Sequence, residues 1–163
     1  DLKLIHNAFQ LRSMLEREAA LHFAQTVSDL ELKAIEAAHL DIVQRAESEG
    51  INDELLTDAT SVDWGLHDQM IDALDNELIS QAYRINSLRV RLIHLERSTL
   101  SADILLPAMQ EHLALIAAMK TRDPARVAQA LDHHIHSAHE RVLGRDRRVL
   151  APGSNAKPTV FST

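Results

Sequence analysis

The chain contains no cysteine. That absence excludes a disulfide framework, a thiolate zinc site and a cysteine nucleophile. Glycine and proline occur four times each in 163 residues, and aromatics make up 3%. Such scarcity, beside abundant Ala, Leu, Glu, Arg and Gln, favours helix over strand. Basic residues are outnumbered: 17 Lys and Arg stand against 24 Asp and Glu, for a formal net charge of −7. A chain of that sign is not by itself a binder of DNA or RNA phosphates. No apolar run approaches the ~18 residues of a membrane span, and no signal peptide is present, so a soluble cytoplasmic protein without membrane contact is expected. Hydrophobic residues at 45% and charged residues at 25% fit one globular domain with a real core.

The apolar spacing is helical nearly throughout. A first helix is predicted from about Leu2 to Ala24, with Leu4, Ile5, Ala8, Leu11, Leu15 and Ala19 on its inner side. "SDLE", Ser28 to Glu31, is a capping box that opens a second helix, and Gly50 ends it. Asn52 caps a third helix that runs to Leu74 and contains Gly65, whose cost of ~1 kcal/mol relative to Ala calls for compensating packing. Asp75 and Asn76 break the chain before a fourth helix, Glu77 to about Leu100. Pro107 suits the first turn of a fifth helix that ends near Lys120. Asp123 and Pro124 start a sixth that continues to about Arg147. Residues 148–163, rich in Pro, Gly, Ser and Thr, read as a loosely ordered tail. The expected fold is all-α: an antiparallel bundle of six or seven helices.

Ten histidines are present. On the third helix Asp63 and His67 lie one turn apart inside the stripe Val62, Leu66, Met70, Ile71 and Leu74. His112 sits amid Leu105, Met109, Ile116 and Met119 on the fifth, and His134 amid Val127, Leu131, Ala138 and Val142 on the sixth. His133 and His136 fall on wet faces. A single buried histidine is most often a hydrogen-bonded core residue. A buried carboxylate, however, is costly unless paired or bound to a cation. Three imidazoles and one carboxylate form a common divalent-metal set, suited to Zn, Ni, Mn or Fe.

These residues also carry a family resemblance over roughly residues 2–145. "RSMLEREAA", "DWGLH", "DNEL" and "EHLALIAAMKTRDPARVAQALDHHI" resemble, in order and spacing, the FCD domain, the C-terminal domain of the FadR branch of GntR-type transcription regulators. Two departures stand out: Leu66 replaces the usual Phe, and Asp75 a usual Gly. The resemblance implies that Asp63, His67, His112 and His134 hold a divalent metal in a cavity inside the bundle. It implies that a small carboxylate effector binds there, with Arg12 as a ligand-binding residue. Arg89, which shares a spacing with Leu78, Ala82, Ile85 and Ile93, is a second ligand-binding candidate. It further implies a non-enzymatic sensor and dimerisation domain over residues 1–147, a homodimer, and DNA contact only through an N-terminal winged helix-turn-helix domain. The lack of an initial Met agrees with that separate domain.

Two other metal-binding readings compete. An HD-type phosphohydrolase would use His67 and Asp68 with His39, but Asp68 should project from the polar face. A ferritin-like bundle needs two E-x-x-H motifs, and only Glu36 to His39 supplies one. A helical interaction module with merely packed histidines is the plain alternative.

Overall fold

The computed structural model describes the backbone of residues 1–97 and 102–150 and the side chains of residues 1–93 and 104–144. It contains six α-helices: α1 Leu2–Thr26, α2 Asp29–Glu49, α3 Asp53–Asp72, α4 Glu77–Arg97, α5 Ala102–Lys120 and α6 Pro124–Leu150. The tail expected over 148–163 lies outside the described residues from 151 onward, and α6 extends three residues past its expected end at Arg147.

Local chemistry sets the helix boundaries. Ser28 and Glu31 form the reciprocal capping box, with Glu31 N–H donating to Ser28 Oγ at 3.1 Å and Ser28 N–H donating to Glu31 Oε2 at 3.1 Å. Gly50 stops α2 at φ 77. Asn52 Oδ1 accepts from Leu55 N–H at 2.8 Å to start α3. Asp75 takes a positive φ of 50 between α3 and α4, a conformation that Asp tolerates better than most residues. Asn76 then caps α4 through Leu78 N–H and Ile79 N–H. Pro107 stands inside α5 rather than in its first turn. The helix begins a full turn earlier, and Leu105 in that turn is buried, so Pro107 forgoes one intrahelical bond.

The helices pack with α1 against α6, α4 and α3, α2 against α5 and α3, and α5 against α6. One apolar cluster joins α1, α3, α4, α5 and α6 around Phe9, Phe23, Leu66, Met70, Ile116 and Leu131. A smaller one joins α2, α3 and α5 around Ile42, Leu55, Leu105 and Met109. The α5–α6 turn is fastened to the α1–α2 turn by Arg122, whose guanidinium donates to the carbonyls of Ala24 and Val27 and pairs with Asp29 at 2.6 Å.

Two inner faces differ from those expected. In α1 the buried residues include Ile5, Ala8, Phe9, Arg12, Glu16, Ala19, Ala20 and Phe23, while Leu4 and Leu11 are exposed. The face is turned so that an arginine and a glutamate occupy core positions. In α4 the buried residues are Ser80, Tyr83, Asn86, Ser87, Val90 and Ile93, while Leu78, Ile85, Leu88 and Leu92 are exposed. The buried side of this helix mixes Ser80, Asn86 and Ser87 with Tyr83, Val90 and Ile93, while a row of Leu and Ile lies on its exposed side.

Gly65 has no packing reason to be glycine: a Cβ there would meet nothing within 4 Å. Gly65→Ala is therefore expected to stabilise the domain by up to ~1 kcal/mol through helix propensity. A urea titration checks this, and a lower midpoint than wild type would show that the open space beside Gly65 serves something other than packing.

Candidate metal centre

Five helices bring charged or imidazole side chains to one buried point. His67 of α3, His112 of α5 and His134 of α6 are each at most 3% exposed. Their Nε2 atoms form a triangle with all three sides 3.2 Å. The three residues make up the one group of potential metal ligands, among the described residues, whose donor atoms lie within 4.8 Å of one another. Asp63, one turn before His67, places Oδ1 3.2 Å from His112 Nε2 but stands outside that mutual set. Its side chain is partly exposed, at 25%.

The protons on these rings can be assigned from their outer partners. His134 Nδ1 is 3.0 Å from Glu111 Oε1; the carboxylate accepts, so Nδ1 carries the proton. Glu111 is itself gripped by the Arg141 fork at 2.6 and 3.0 Å. His67 Nδ1 lies 2.6 Å from Glu16 Oε1, a short contact bent away from ideal hydrogen-bond alignment; again only the ring can donate. His112 Nδ1 is 2.9 Å from Nε2 of His39, and His39 Nδ1 is 2.7 Å from the Ile35 carbonyl. The carbonyl can only accept, so His39 donates from Nδ1 and accepts at Nε2. His112 must then donate from Nδ1. All three rings therefore turn unprotonated Nε2 atoms toward one another.

That arrangement fits a cation. Three lone pairs and the Asp63 carboxylate crowd a common buried point, and Arg12 Nη2, 3.3 Å from His67 Nε2, donates toward one of them. Metal–nitrogen bonds of ~2.0–2.1 Å give ligand–ligand separations of ~3.0–3.4 Å, which brackets the observed 3.2 Å. Each ring also has the outer partner that metal-bound histidines need to fix tautomer and orientation.

Arg12 and Glu16, one turn apart on α1, adjoin the triangle. Arg12 Nε donates to Glu16 Oε2 at 2.7 Å, and Arg12 Nη2 lies 3.3 Å from His67 Nε2. Burial alone would push the Glu16 carboxyl upward, but Arg12 and His67 hold it at about 2. Glu111 behaves alike: against its burial, His134 and Arg141 hold it at about 2. Burial pushes His112 well below its ordinary value, and its histidine neighbours add to this; burial also lowers His134 and His39.

The expected residues divide plainly. His67, His112 and His134 meet, Asp63 is beside them, and Arg12 is buried next to them in an ion pair with Glu16. Arg89 is exposed on the outer face of α4, with Leu78 and Ile85, and does not reach the site. Of the residues whose spacing selected Arg89, Leu78, Ala82 and Ile85 face outward and Ile93 alone is buried. Glu16 and Glu111 were not anticipated, and His39 entered only through the HD-type and ferritin-like readings. For His39 a signal existed: it continues the buried line Leu32, Ile42 and Val43 of α2. Asp68 pairs with Arg91 at 3.6 Å, away from the triangle, so the His67–Asp68 pair does not form an HD-type site. Glu36 pairs with Lys120 instead of joining His39 at the centre.

The described residues form six helices around a buried imidazole cluster, with no strand among them. The FCD domain profile matches residues 7–137, and the chain belongs to the FCD family. A solved structure similar to it, the metal-free FCD domain of TM0439, a candidate transcriptional regulator, superposes with a TM-score of 0.71 at 22% identity, covering 91% of this chain and 97% of that one. No curated protein matches. FCD domains are non-catalytic sensing modules of transcription regulators, and this chain is a regulatory, effector-binding domain with a candidate metal site. No helix among the described residues is long and apolar enough to cross a membrane.

The lowered histidines set a pH response. Each has a folded-state value below its ordinary ~6.5, so the unfolded chain binds more protons as pH falls. Their contribution to stability is complete above about pH 6.5 and is lost below it. Glu16 and Glu111, held at about 2, extend the loss below ~4.5. The urea midpoint of the chelator-treated chain should hold steady from pH 8 to 7 and fall between pH 7 and 5. A midpoint unchanged at pH 5 would mean that these rings are not held neutral by burial.

Proposed function

We propose that this chain is the effector-sensing domain of a GntR-type transcription regulator. It holds a divalent metal through His67, His112, His134 and Asp63, and it takes a small organic acid at the metal and Arg12. The observation that carries this reading is the triangle of three unprotonated Nε2 atoms at 3.2 Å. Zn, Ni, Mn and Fe all suit such ligands. When bound, the ion supplies a Lewis-acidic point for carboxylate and hydroxyl oxygens.

The protein's own groups do the rest. Glu16, His39 and Glu111 hold the rings in the ligating tautomer. Arg12 offers a guanidinium fork to a carboxylate. Charge balance supports a singly charged acid. Arg12 offsets Glu16 and Arg141 offsets Glu111, while a divalent ion beside Asp63 leaves one positive charge for one carboxylate to neutralise. An acid bridging α1 and the metal-bearing α3, α5 and α6 would favour one packing of these helices over another. Only that differential affinity can alter operator binding by a separate DNA-binding domain. Residues 1–147 constitute this sensor.

The exposed face of α4 supports a homodimer. Leu78, Ile85 and Leu92 recur every seven residues with Leu88 between them, the seam of a helix that packs on a partner helix.

Calorimetric titration of the chelator-stripped chain with Zn²⁺ or Ni²⁺ tests the site. His112→Ala and His134→Ala should abolish tight binding. Glu111→Gln and His39→Ala should weaken it by about 10–100-fold. If the stripped wild-type chain takes up neither ion, or if the two alanine variants bind like wild type, the metal assignment is wrong. For the dimer, Ile85→Glu with Leu88→Glu should sediment as a monomer where the wild type sediments as a dimer; an unchanged sedimentation coefficient would move the interface elsewhere.

A further inference from the structure

Arg12 engages two partners at once. Its buried guanidinium donates from Nε to Glu16 Oε2 at 2.7 Å and from Nη2 to His67 Nε2 at 3.3 Å. The second acceptor is the telling one. His67 keeps its proton on Nδ1, which faces Glu16 Oε1 at 2.6 Å, so Nε2 carries the ring's only in-plane lone pair. That pair can receive an N–H or bind a metal ion, and it cannot do both.

The surroundings hold the guanidinium at this spot and keep it charged. Glu16 faces Arg12 with one oxygen and His67 with the other, so a single carboxylate aligns the ligand and the group that contends for it. The Phe9 and Trp64 rings lie 5.8 and 6.0 Å from the guanidinium carbon, which favours a cation between them. Burial opposes the charge, but Glu16 and then Tyr83 outweigh it and raise the Arg12 pKa. Arg12 therefore cannot leave the contest by losing a proton.

We propose that Arg12 is a built-in competitor of the metal ion at His67: it keeps metal affinity below what the four ligands would give, and an acid that takes over Nη2 tightens the metal. The inference rests on the metal-and-acid reading above and adds a regulation to that site. An N–H deprived of its acceptor in the interior is costly, so Nη2 needs a new acceptor once an ion holds Nε2. A carboxylate oxygen serves a guanidinium better than a neutral ring nitrogen does. Linkage runs both ways: the factor by which the acid raises metal affinity is the factor by which the metal raises acid affinity. Metal alone is held loosely, acid alone finds Nη2 occupied, and the fully loaded domain forms when both are present.

Zn²⁺ titration of the chelator-stripped chain in carboxylate-free buffer, against a competing chelator, tests the competition. Arg12→Lys keeps a cation for Glu16 but replaces the rigid fork with a single ammonium. It should bind Zn²⁺ about 2–10-fold more tightly than wild type, the fold-change of one net hydrogen bond. Propanoate at constant ionic strength should raise wild-type Zn²⁺ affinity at least threefold, and that of Arg12→Lys by less than half as much. Should Arg12→Lys not fold, ¹⁵N-arginine spectra of the wild type take its place: Zn²⁺ should shift the assigned Arg12 Nη signals and leave Nε–H, bonded to Glu16, unmoved. If Arg12→Lys binds Zn²⁺ no more tightly than wild type, if propanoate helps both chains alike, or if the Nη signals stay in place, the competition is overturned and the metal reading stands. If propanoate helps neither chain, the acid half of that reading falls and the coupling with it. If the stripped wild type takes up no Zn²⁺, the metal reading falls and this inference with it.

Discussion

Three imidazole nitrogens that all present lone pairs cannot share a buried point unless something compels each ring to hold its proton on the far side. In this domain the compulsion comes from three separate acceptors: Glu16 behind His67, His39 behind His112 and Glu111 behind His134. Each acceptor sits on a helix different from that of the ring it serves. The proton assignment therefore ties α1 to α3, α2 to α5 and α5 to α6. The bundle's assembly and the chemistry of its centre are one arrangement, because no two of these helices could slide by a turn without turning a donor nitrogen inward.

The same arrangement explains why charged groups are tolerated in the interior. Arg12 and Glu16 are both buried, but each has a counter-charge within a hydrogen-bond length, and so does Glu111 with Arg141. Isolated, any of them would be expelled or neutralised. Paired, they keep a polar point inside an otherwise apolar cluster of Phe9, Leu66, Ile116 and Leu131. Removing one member of such a pair leaves an uncompensated charge, so the electrostatics is cooperative across helices.

Much of this was legible in the sequence, for physical reasons. Capping residues act locally, so Ser28, Asn52 and Asp123 mark helix starts without knowledge of the fold. A histidine in the middle of an apolar stripe must point inward, which found His67, His112 and His134. The stripe argument failed where burial does not follow hydrophobicity. In α1 two charged residues lie in the core because they satisfy each other, which no periodicity of apolar residues can reveal. In α4 apolar residues lie on both sides and Ser80, Asn86 and Ser87 are buried, so the same reasoning aimed Arg89 at the bundle when it faces away. Glu16 and Glu111 escaped notice, and His39 was assigned to other sites, because their partners come from other helices, and pairings across helices are not encoded in spacing along one of them.

The two-sided character of α4 has a mechanical consequence. An α-helix with its side chains is ~10–12 Å across and resists bending over a few turns, so its two faces move as one body. On this rod Ser87 and Leu88 are consecutive residues, one buried against the bundle and the other facing outward. Any shift of α4 against α1, whose Ala8 carbonyl accepts from Asn86 Nδ2, would carry the outer row of Leu78, Ile85, Leu88 and Leu92 with it.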